Sequence, residues 1–202
     1  IRRFGLGYAP EDFVGLLHYL RHRGFTESEL EASGLIKRSA KGNLYDIFRH
    51  RVMVPIIDVR GNIIAFGGRV LDDSKPKYIH SPETMVYHQA RTLVALNIAK
   101  KSTSKRYILC EGYMDVISMH EAGFDTAVCA CGTALTPEQV KLLSEYAEEV
   151  VLSYDSDEAG QKATERSLAL FANSPVKVSV LKIPGAKDPD EFIRTYGKDR
   201  FE

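Results

Sequence analysis

The sequence lacks any run of about 18 apolar residues, the length that a membrane-spanning helix requires. It also lacks the charged and then apolar beginning of a secretory leader. We therefore expect neither a membrane span nor a signal peptide, and we expect a cytoplasmic location. The chain begins with Ile1 rather than Met, and Phe201-Glu202 follows a helix-ending Gly197 without an obvious stop. These ends lead us to expect a piece of a longer protein that has flanking domains.

Cysteine is rare, with three residues in the whole sequence: Cys110, Cys129 and Cys131. Their number is odd, and none shows the paired spacing that a tetrahedral zinc site requires. All three lie in or beside apolar runs of the kind that form strands. We therefore predict buried, reduced thiols rather than disulfides or zinc ligands.

The sequence also has no net charge, because 27 Lys and Arg residues balance 27 Asp and Glu residues. The balance conceals an asymmetry: residues 1–100 contain 15 basic and 10 acidic residues, whereas residues 101–202 contain 12 and 17. Five of the six histidines also lie in the first half. This distribution suits a first half that faces phosphates and a second half that binds cations. Ordinary solvated surfaces, however, often differ by as many charges.

The first hundred residues begin with signals for two helices. Apolar residues at helical spacing follow Pro10 and end at Gly24. Thr26 and Glu29 form a capping box for a second short helix, which Gly34 ends. The sequence therefore predicts a helical start to the chain.

Strand signals and then a linker follow these helices. Apolar, β-branched runs at 52–57 and 63–66 flank the turn Arg60-Gly61-Asn62, which predicts a hairpin. The Lys-, Ser- and Thr-rich segment 100–105 is typical of a linker. We place a domain boundary there. The predicted domains are residues 1–104 and 105–202.

Strands and helices alternate regularly after the predicted linker. Thr136, Pro137 and Gln139 have the spacing of a capped helix start. Alternation of this kind predicts a mostly parallel sheet covered by helices, so the expected fold class is α/β. The predicted strands are 107–110, 126–130, 150–154 and 176–181, and the predicted helices are 113–122, 159–171 and 191–196, with another after Pro137.

Acidic residues follow three of the predicted strands. They are Glu111, Asp155, Asp157, Asp188 and Asp190. The last two follow a strand that is predicted to end near Ile183. Because functional groups of such a sheet gather beyond the carboxyl ends of its strands, we expect all five carboxylates at one sheet edge.

Carboxylates that lie close together at one edge repel each other, and a bound cation offsets this repulsion. Two of them about 4 Å apart repel by roughly 4 kcal/mol at an effective dielectric near 20. Oxygen ligands without nearby Cys or His pairs favour magnesium or manganese over zinc. Two such ions about 3.5–4 Å apart can activate an attacking hydroxyl and stabilise a leaving pyrophosphate. The pattern therefore predicts a metal site suited to phosphoryl transfer.

Ordinary structural roles also fit single members of this set. An isolated Asp-X-Asp is usually a solvated turn or a helix cap. Asp157 and Glu158 suit the start of the helix at Ala159, and Asp188 suits a turn before Pro189. Capping and metal binding are compatible, so both interpretations stay open.

Three acidic motifs resemble those of the Toprim domain, which bacterial primases, topoisomerases, some nucleases and recombination mediators share. They are Glu111-Gly112-Tyr113-Met114-Asp115, Asp155-Ser156-Asp157 and Lys187-Asp188-Pro189-Asp190. Other motifs, spread over nearly the whole chain, resemble bacterial DNA primases of the DnaG type in particular. They are Gly7-Tyr8-Ala9-Pro10, Phe66-Gly67-Gly68-Arg69, Pro76-Lys77-Tyr78, Ser81-Pro82-Glu83-Thr84, Gly132-Thr133 and Ala159-Gly160.

The resemblance implies a mixed α/β N-terminal subdomain followed by a Rossmann-like Toprim domain with a mostly parallel sheet. It implies metal-dependent nucleotidyl transfer from NTPs, which makes short RNA primers on single-stranded DNA and releases pyrophosphate. The template and the RNA:DNA hybrid would lie along a groove between the two parts. The nucleic-acid contacts would be Arg69, Lys77 and Tyr78, with Arg49, Arg51 and Arg91 of lower rank.

The resemblance also implies roles for the acidic motifs. The catalytic residues and principal ligands of Mg²⁺, for which Mn²⁺ can substitute, would be Glu111, Asp155 and Asp157. Asp188 and Asp190 would hold or orient a further ion. Zinc is expected only in a flanking module that this chain lacks. The replicative helicase is expected to bind through a C-terminal domain that is likewise absent.

Some residues depart from the family pattern. His80 stands where many relatives have Asn, Gln89 where a lysine is common, and Val94-Ala95 where Tyr-Gly is frequent. None of these changes a carboxylate, so the expected chemistry is unaffected, but Gln89 alters the expected template or nucleotide contacts. Asp115, one helical turn beyond Glu111, is expected to be a supporting residue rather than a ligand.

Two other functions fit parts of the pattern. A Toprim topoisomerase or nuclease would cut DNA, but a topoisomerase needs a nucleophilic tyrosine in a separate domain, and the 10 tyrosines show no such assembly. A non-catalytic module could use the acidic residues for a structural metal or for protein contacts. The complete set of acidic motifs argues against that module.

Overall fold

The structure, a computed structural model, divides the chain into two compact units. The first unit comprises Ile1–Ile56 and Ile63–His88, and the second comprises Ile57–Asn62 and Gln89–Glu202. The predicted boundary between residues 104 and 105 stays a prediction. In the described parts of the chain, no helix has the length and apolar character needed to cross a membrane. The described residues are 1–130, 132, 134–181, 185–186 and 188–201.

The first unit contains a four-stranded sheet and a separate two-stranded hairpin. Its strands are β1 (Gly7–Ala9), β2 (Ile36–Arg38), β3 (Leu44–Asp46), β4 (Arg51–Ile57), β5 (Ile63–Val70) and β6 (Tyr78–His80). The larger sheet has the order β1-β4-β5-β6, in which β1 is antiparallel to β4 and β5 is antiparallel to β6. The short β2-β3 pair was not predicted, because three residues per strand show no alternating pattern.

A tight turn joins β4 to β5, and Asp58 organises it. Its Oδ1 accepts hydrogen bonds from the backbone N–H groups of Arg60 and Asn62, both at 2.9 Å. Gly61 has a φ of 99°, which a residue with a β-carbon rarely adopts. The predicted hairpin is confirmed, and its second strand continues to Val70.

Two helices, α1 (Gly15–His22) and α2 (Glu27–Ala32), pack with the β2-β3 pair. The predicted capping box of Thr26 and Glu29 is confirmed at the start of α2. A small core of buried apolar side chains joins these elements. It consists of Leu17, Leu30, Ile36 and Leu44.

The predicted start of the first helix at Pro10 is wrong by five residues, because α1 begins at Gly15. The buried carboxylate of Asp46 accepts hydrogen bonds from the backbone N–H groups of Leu16 and Leu17, at 2.7 and 2.9 Å. These N–H groups lie in the first turn of α1 and have no partner within the helix. A side chain 29 residues away in sequence from Leu17 therefore caps this helix.

We predict that Asp46→Ala lowers the free energy of unfolding by about 2 kcal/mol, because it leaves two N–H groups of the first helical turn without an acceptor. Chemical denaturation followed by circular dichroism measures the change. The exposed Asp73→Asn serves as control and should stay within about 0.5 kcal/mol of the wild type. Equal stability of Asp46→Ala and the wild type would contradict this role for Asp46.

The second unit is a five-stranded sheet flanked by helices. Its strands are β7 (Leu93–Val94), β8 (Arg106–Cys110), β9 (Ala127–Ala130), β10 (Glu149–Ser153) and β11 (Lys177–Val180), and its helices are α3 (Leu96–Ala99), α4 (Tyr113–Glu121), α5 (Pro137–Ser144), α6 (Glu158–Phe171) and α7 (Pro189–Tyr196). The strand order is β11-β10-β8-β9-β7. The neighbouring pairs from β11 to β9 are parallel, and β7 is antiparallel to β9. The predicted α/β class and mostly parallel sheet are confirmed.

The central strands are mainly apolar, as expected for a sheet covered on both faces, and the charged residues of β8 and β10 are their first residues, Arg106 and Glu149. Val150, Leu152 and Leu109 are completely buried in the main core of the unit. Cys110 and Cys129 lie opposite each other on β8 and β9 as buried cysteines outside any disulfide, which confirms the prediction for these two. Cys131, Thr133, Ile183 and Lys187, which the sequence analysis also used, lie outside the described residues.

Candidate functional site

Glu111 and Asp155 follow two neighbouring parallel strands. Strands β8 and β10 pair with Cys110 opposite Ser153, so both chains leave the sheet at the same edge. The backbone N–H of Asp155 donates a hydrogen bond to Glu111 Oε2 at 3.2 Å. The structure therefore brings together the first two acidic motifs, which are 44 residues apart in sequence.

The loop after β10 turns tightly into α6. Asp157 is the N-cap of this helix, and its Oδ1 accepts a hydrogen bond from the backbone N–H of Gly160 at 2.9 Å. A β-carbon at Gly160 would lie 2.0 Å from the carbonyl oxygen of Asp155. Only glycine therefore allows the helix to approach the backbone of Asp155 this closely. The expected capping role of Asp157 is present in the structure.

The third acidic motif lies at the start of α7. Asp188 is the N-cap and accepts a hydrogen bond from the backbone N–H of Glu191 at 2.8 Å. Asp190 Oδ1 accepts a hydrogen bond from Ser118 Oγ on α4 and lies 3.0 Å from Arg194 Nε. Sequence reasoning missed Ser118, because nothing in the local pattern links a helix serine to an aspartate 72 residues later.

Asp115 is a carboxyl group of this edge whose pKa departs clearly from its ordinary value. Burial raises its pKa to about 7, although a hydrogen bond from the backbone N–H of Gly112 lowers the pKa. The negative charges of Asp188, Asp155 and Asp190 raise the pKa in the same direction. Members of the second and third motifs therefore lie close enough to Asp115 for their charges to act on it.

The edge has the donor chemistry of a site for a hard cation, since carboxylate oxygens are gathered there. Among the described residues, however, no three carboxylate, imidazole or thiol side chains are arranged to hold one ion. Asp157 and Asp188 cap helices, and Asp190 is engaged by Ser118 and Arg194. The assignment of the five carboxylates as metal ligands therefore stays a prediction.

A second candidate surface, which we call the ridge, consists of Arg69, Lys77 and Tyr78 in the first unit. Arg69 on β5 lies opposite Tyr78 on the edge strand β6. The guanidinium carbon of Arg69 and Nζ of Lys77 lie 5.9 and 5.7 Å from the centre of the Tyr78 ring. The Tyr78 residue is 38% exposed. The ridge thus presents two cations beside one accessible aromatic ring.

Two of the three lower-ranked arginines, Arg49 and Arg51, have different surroundings. The Arg49 guanidinium stacks over Phe13 and Tyr45, at 4.4 and 5.5 Å from the ring centres. Arg51 is buried and donates hydrogen bonds to backbone carbonyl oxygens, so its guanidinium does not lie on the surface. No local sequence signal distinguishes these neighbouring arginines.

We predict that Gly160→Ala destabilises the protein by roughly 1–3 kcal/mol, because the added β-carbon displaces the Asp155 backbone. The direction of this stability change is informative, since Gly→Ala inside a helix normally stabilises the helix by up to about 1 kcal/mol. Thermal unfolding measures the change. The exposed Glu165→Ala on the same helix is the control and should have little effect. A stabilised Gly160→Ala protein would contradict the close approach.

Two family models match adjoining parts of the chain. The model for the DNA primase catalytic core, N-terminal domain, matches residues 1–100, and a Toprim-like model matches residues 108–193. A DNA primase from Clostridium acetobutylicum is 49% identical over 202 residues, which are 100% of this chain and 34% of that protein. The chain spans about a third of the length of the curated relatives it matches.

Solved structures are similar over nearly the whole chain. A DnaG primase catalytic domain bound to ssDNA is 36% identical, with a TM-score of 0.90, and the match covers 100% of this chain and 66% of that one. The RNA polymerase domain of Mycobacterium tuberculosis primase DnaG is 31% identical, with a TM-score of 0.88, over 98% of this chain and 68% of that one. The chain therefore belongs to the family of bacterial DnaG-type DNA primase catalytic cores.

Proposed function

We propose that this chain synthesises short RNA primers on single-stranded DNA by transferring nucleotides from NTPs with release of pyrophosphate. The observation that carries the proposal is the contact between Glu111 and Asp155 at the carboxyl edge of a parallel sheet. The first unit of the same chain presents cations and an aromatic ring, which suit a nucleic-acid substrate. The similar domain bound to ssDNA supports that substrate class.

The proposed ligands of the principal Mg²⁺ ions, for which Mn²⁺ can substitute, are Glu111, Asp155 and Asp157. Asp188 and Asp190 are proposed to hold or orient a further ion. Toprim-like domains and primases generally depend on divalent metal ions. When bound, such ions favour attack of a 3′-hydroxyl on the α-phosphate and neutralise the pyrophosphate that leaves.

The chain supports these carboxylates through its own contacts. The N–H of Asp155 orients the Glu111 carboxylate, and Gly160 sets the position of the Asp155 backbone. Ser118 and Arg194 both contact Asp190 and limit its movement. Side chains already held near their working positions lose less freedom when substrate binds, which favours the chemical step.

The ridge is proposed to bind the phosphates and bases of the template and of the RNA:DNA hybrid. Lys77 and Arg69 attract phosphates without regard to base sequence. Tyr78 offers an exposed ring on which any base can stack. Binding of this kind suits an enzyme that must copy many different template sequences.

The remaining partners are proposed to act through segments outside residues 1–202. Zinc would bind in a flanking module, and the replicative helicase would bind a C-terminal domain. As a bacterial replication enzyme, the protein is proposed to work in the cytoplasm, at the nucleoid.

We predict that Glu111→Gln and Asp155→Asn each reduce primer synthesis by at least about 100-fold, because metal-bound phosphate accounts for several kcal/mol of transition-state stabilisation. The measurement is incorporation of labelled NTPs on single-stranded DNA with Mg²⁺, at matched folding. Glu165→Gln, an exposed change of the same kind, should retain activity. Undiminished synthesis by both site variants would refute the assignment, and DNA cleavage without synthesis would indicate a nuclease.

We predict that Lys77→Ala weakens ssDNA binding by about five-fold near 0.1 M salt and reduces the slope of log K against log salt by about 0.7, as expected for one lost phosphate contact. Fluorescence anisotropy of a labelled oligothymidylate over a series of salt concentrations measures both values. Lys37→Ala removes an exposed lysine of the same unit and should change neither. An unchanged slope for Lys77→Ala would exclude a phosphate contact.

A further inference from the structure

Arg51 is a buried cation that bonds to the backbone next to the ridge. Its side chain begins at the first residue of β4, and the whole residue is only 7% exposed. Nη2 donates a hydrogen bond to the carbonyl oxygen of Pro76 at 2.9 Å, and Nη1 donates to that of Lys77 at 3.2 Å. The guanidinium therefore directs both terminal nitrogens to backbone carbonyls rather than to solvent.

The neighbouring strand leaves room for this guanidinium. Nη1 also lies 3.5 Å from the carbonyl oxygen of Gly68 on β5. A β-carbon at Gly68 would lie 3.0 Å from Cδ of Arg51 and 2.8 Å from Cδ1 of Phe48. Glycine at this position therefore makes space for the side chains of Arg51 and Phe48.

The segment that Arg51 holds leads into a short edge strand. In the part of the chain that the structure describes, β6 is three residues long and pairs with β5 at the edge of its sheet. The carbonyl of Lys77 accepts hydrogen bonds from Arg51 and from the N–H of Val70. This carbonyl belongs to the residue whose ammonium group lies beside the Tyr78 ring.

We propose that Arg51 is a positioning residue for nucleic-acid binding. It holds the backbone of Pro76 and Lys77 so that the side chains of Lys77 and Tyr78 face the same nucleic-acid strand. The proposal rests on the proposed function of the ridge. Arg51 itself does not contact nucleic acid, because its guanidinium is buried and bonded to carbonyls. A planar guanidinium can reach several carbonyls at once, which the single ammonium group of lysine cannot do in the same geometry.

The test is a mutant cycle in the intact protein, with a fluorescein-labelled single-stranded oligothymidylate as the probe. Arg51→Lys keeps the charge and is made in the wild type and in a ridge variant that carries Lys77→Ala and Tyr78→Ala. We expect Arg51→Lys to weaken binding by about three-fold or more in the wild type and by less than about two-fold in the ridge variant. Arg60→Lys, at an exposed position, is the matched control and should bind like the wild type.

The outcomes separate this inference from the function on which it rests. Equal weakening by Arg51→Lys in both backgrounds would show that Arg51 acts independently of the ridge, and it would overturn the inference. A ridge variant that binds as well as the wild type would overturn both the ridge function and the inference. A weakened ridge variant together with an unaffected Arg51→Lys protein would overturn the inference alone.

Hydrogen exchange distinguishes positioning from a general loss of fold. We expect Arg51→Lys to increase amide exchange at Val70 and around Tyr78, while the amide of the buried Val54 exchanges as in the wild type. The same increase at Val54 would show that Arg51 stabilises the whole sheet, and it would overturn a specific positioning role.

Discussion

The parallel pairing of β8 with β10 is the constraint on which the second unit and its acidic edge depend. It places Glu111 against the backbone of Asp155, although 44 residues separate them in sequence. The contact uses the N–H of Asp155, so a hydrogen-bond donor lies against the Glu111 carboxylate. Burial raises the pKa of Asp115, and the negative charges of Asp188, Asp155 and Asp190 add to the rise, so several carboxylates of this edge lie near one another.

At both candidate surfaces, neighbouring groups fix the position of a short backbone segment. At the acidic edge, Asp157 and Gly160 hold the turn that carries Asp155. At the ridge, the guanidinium of Arg51 holds the carbonyls next to Tyr78. In each case a side chain bonds to backbone atoms next to residues of the candidate surface.

Elements with a clear hydrophobic period or a capping motif were predictable, whereas strands of two or three residues were not. The predicted strand 150–154 and helix 159–171 match β10 and α6 within one residue at each end. The pair β2-β3 and the strand β7 have only two or three residues each, too few to show a period. The start of α1 was misplaced because its cap, Asp46, is distant in sequence and no local pattern indicates it.

Local periodicity and short motifs are enough to predict the α/β alternation, the strand ends that carry Glu111 and Asp155, and the family resemblance. Which polar groups meet depends instead on how the elements pack. The tertiary structure buries Arg51 beneath the ridge and joins Ser118 to Asp190. The physical reason is that hydrogen bonds depend on distance in space, and residues 26 to 72 positions apart become neighbours only when strands and helices pack.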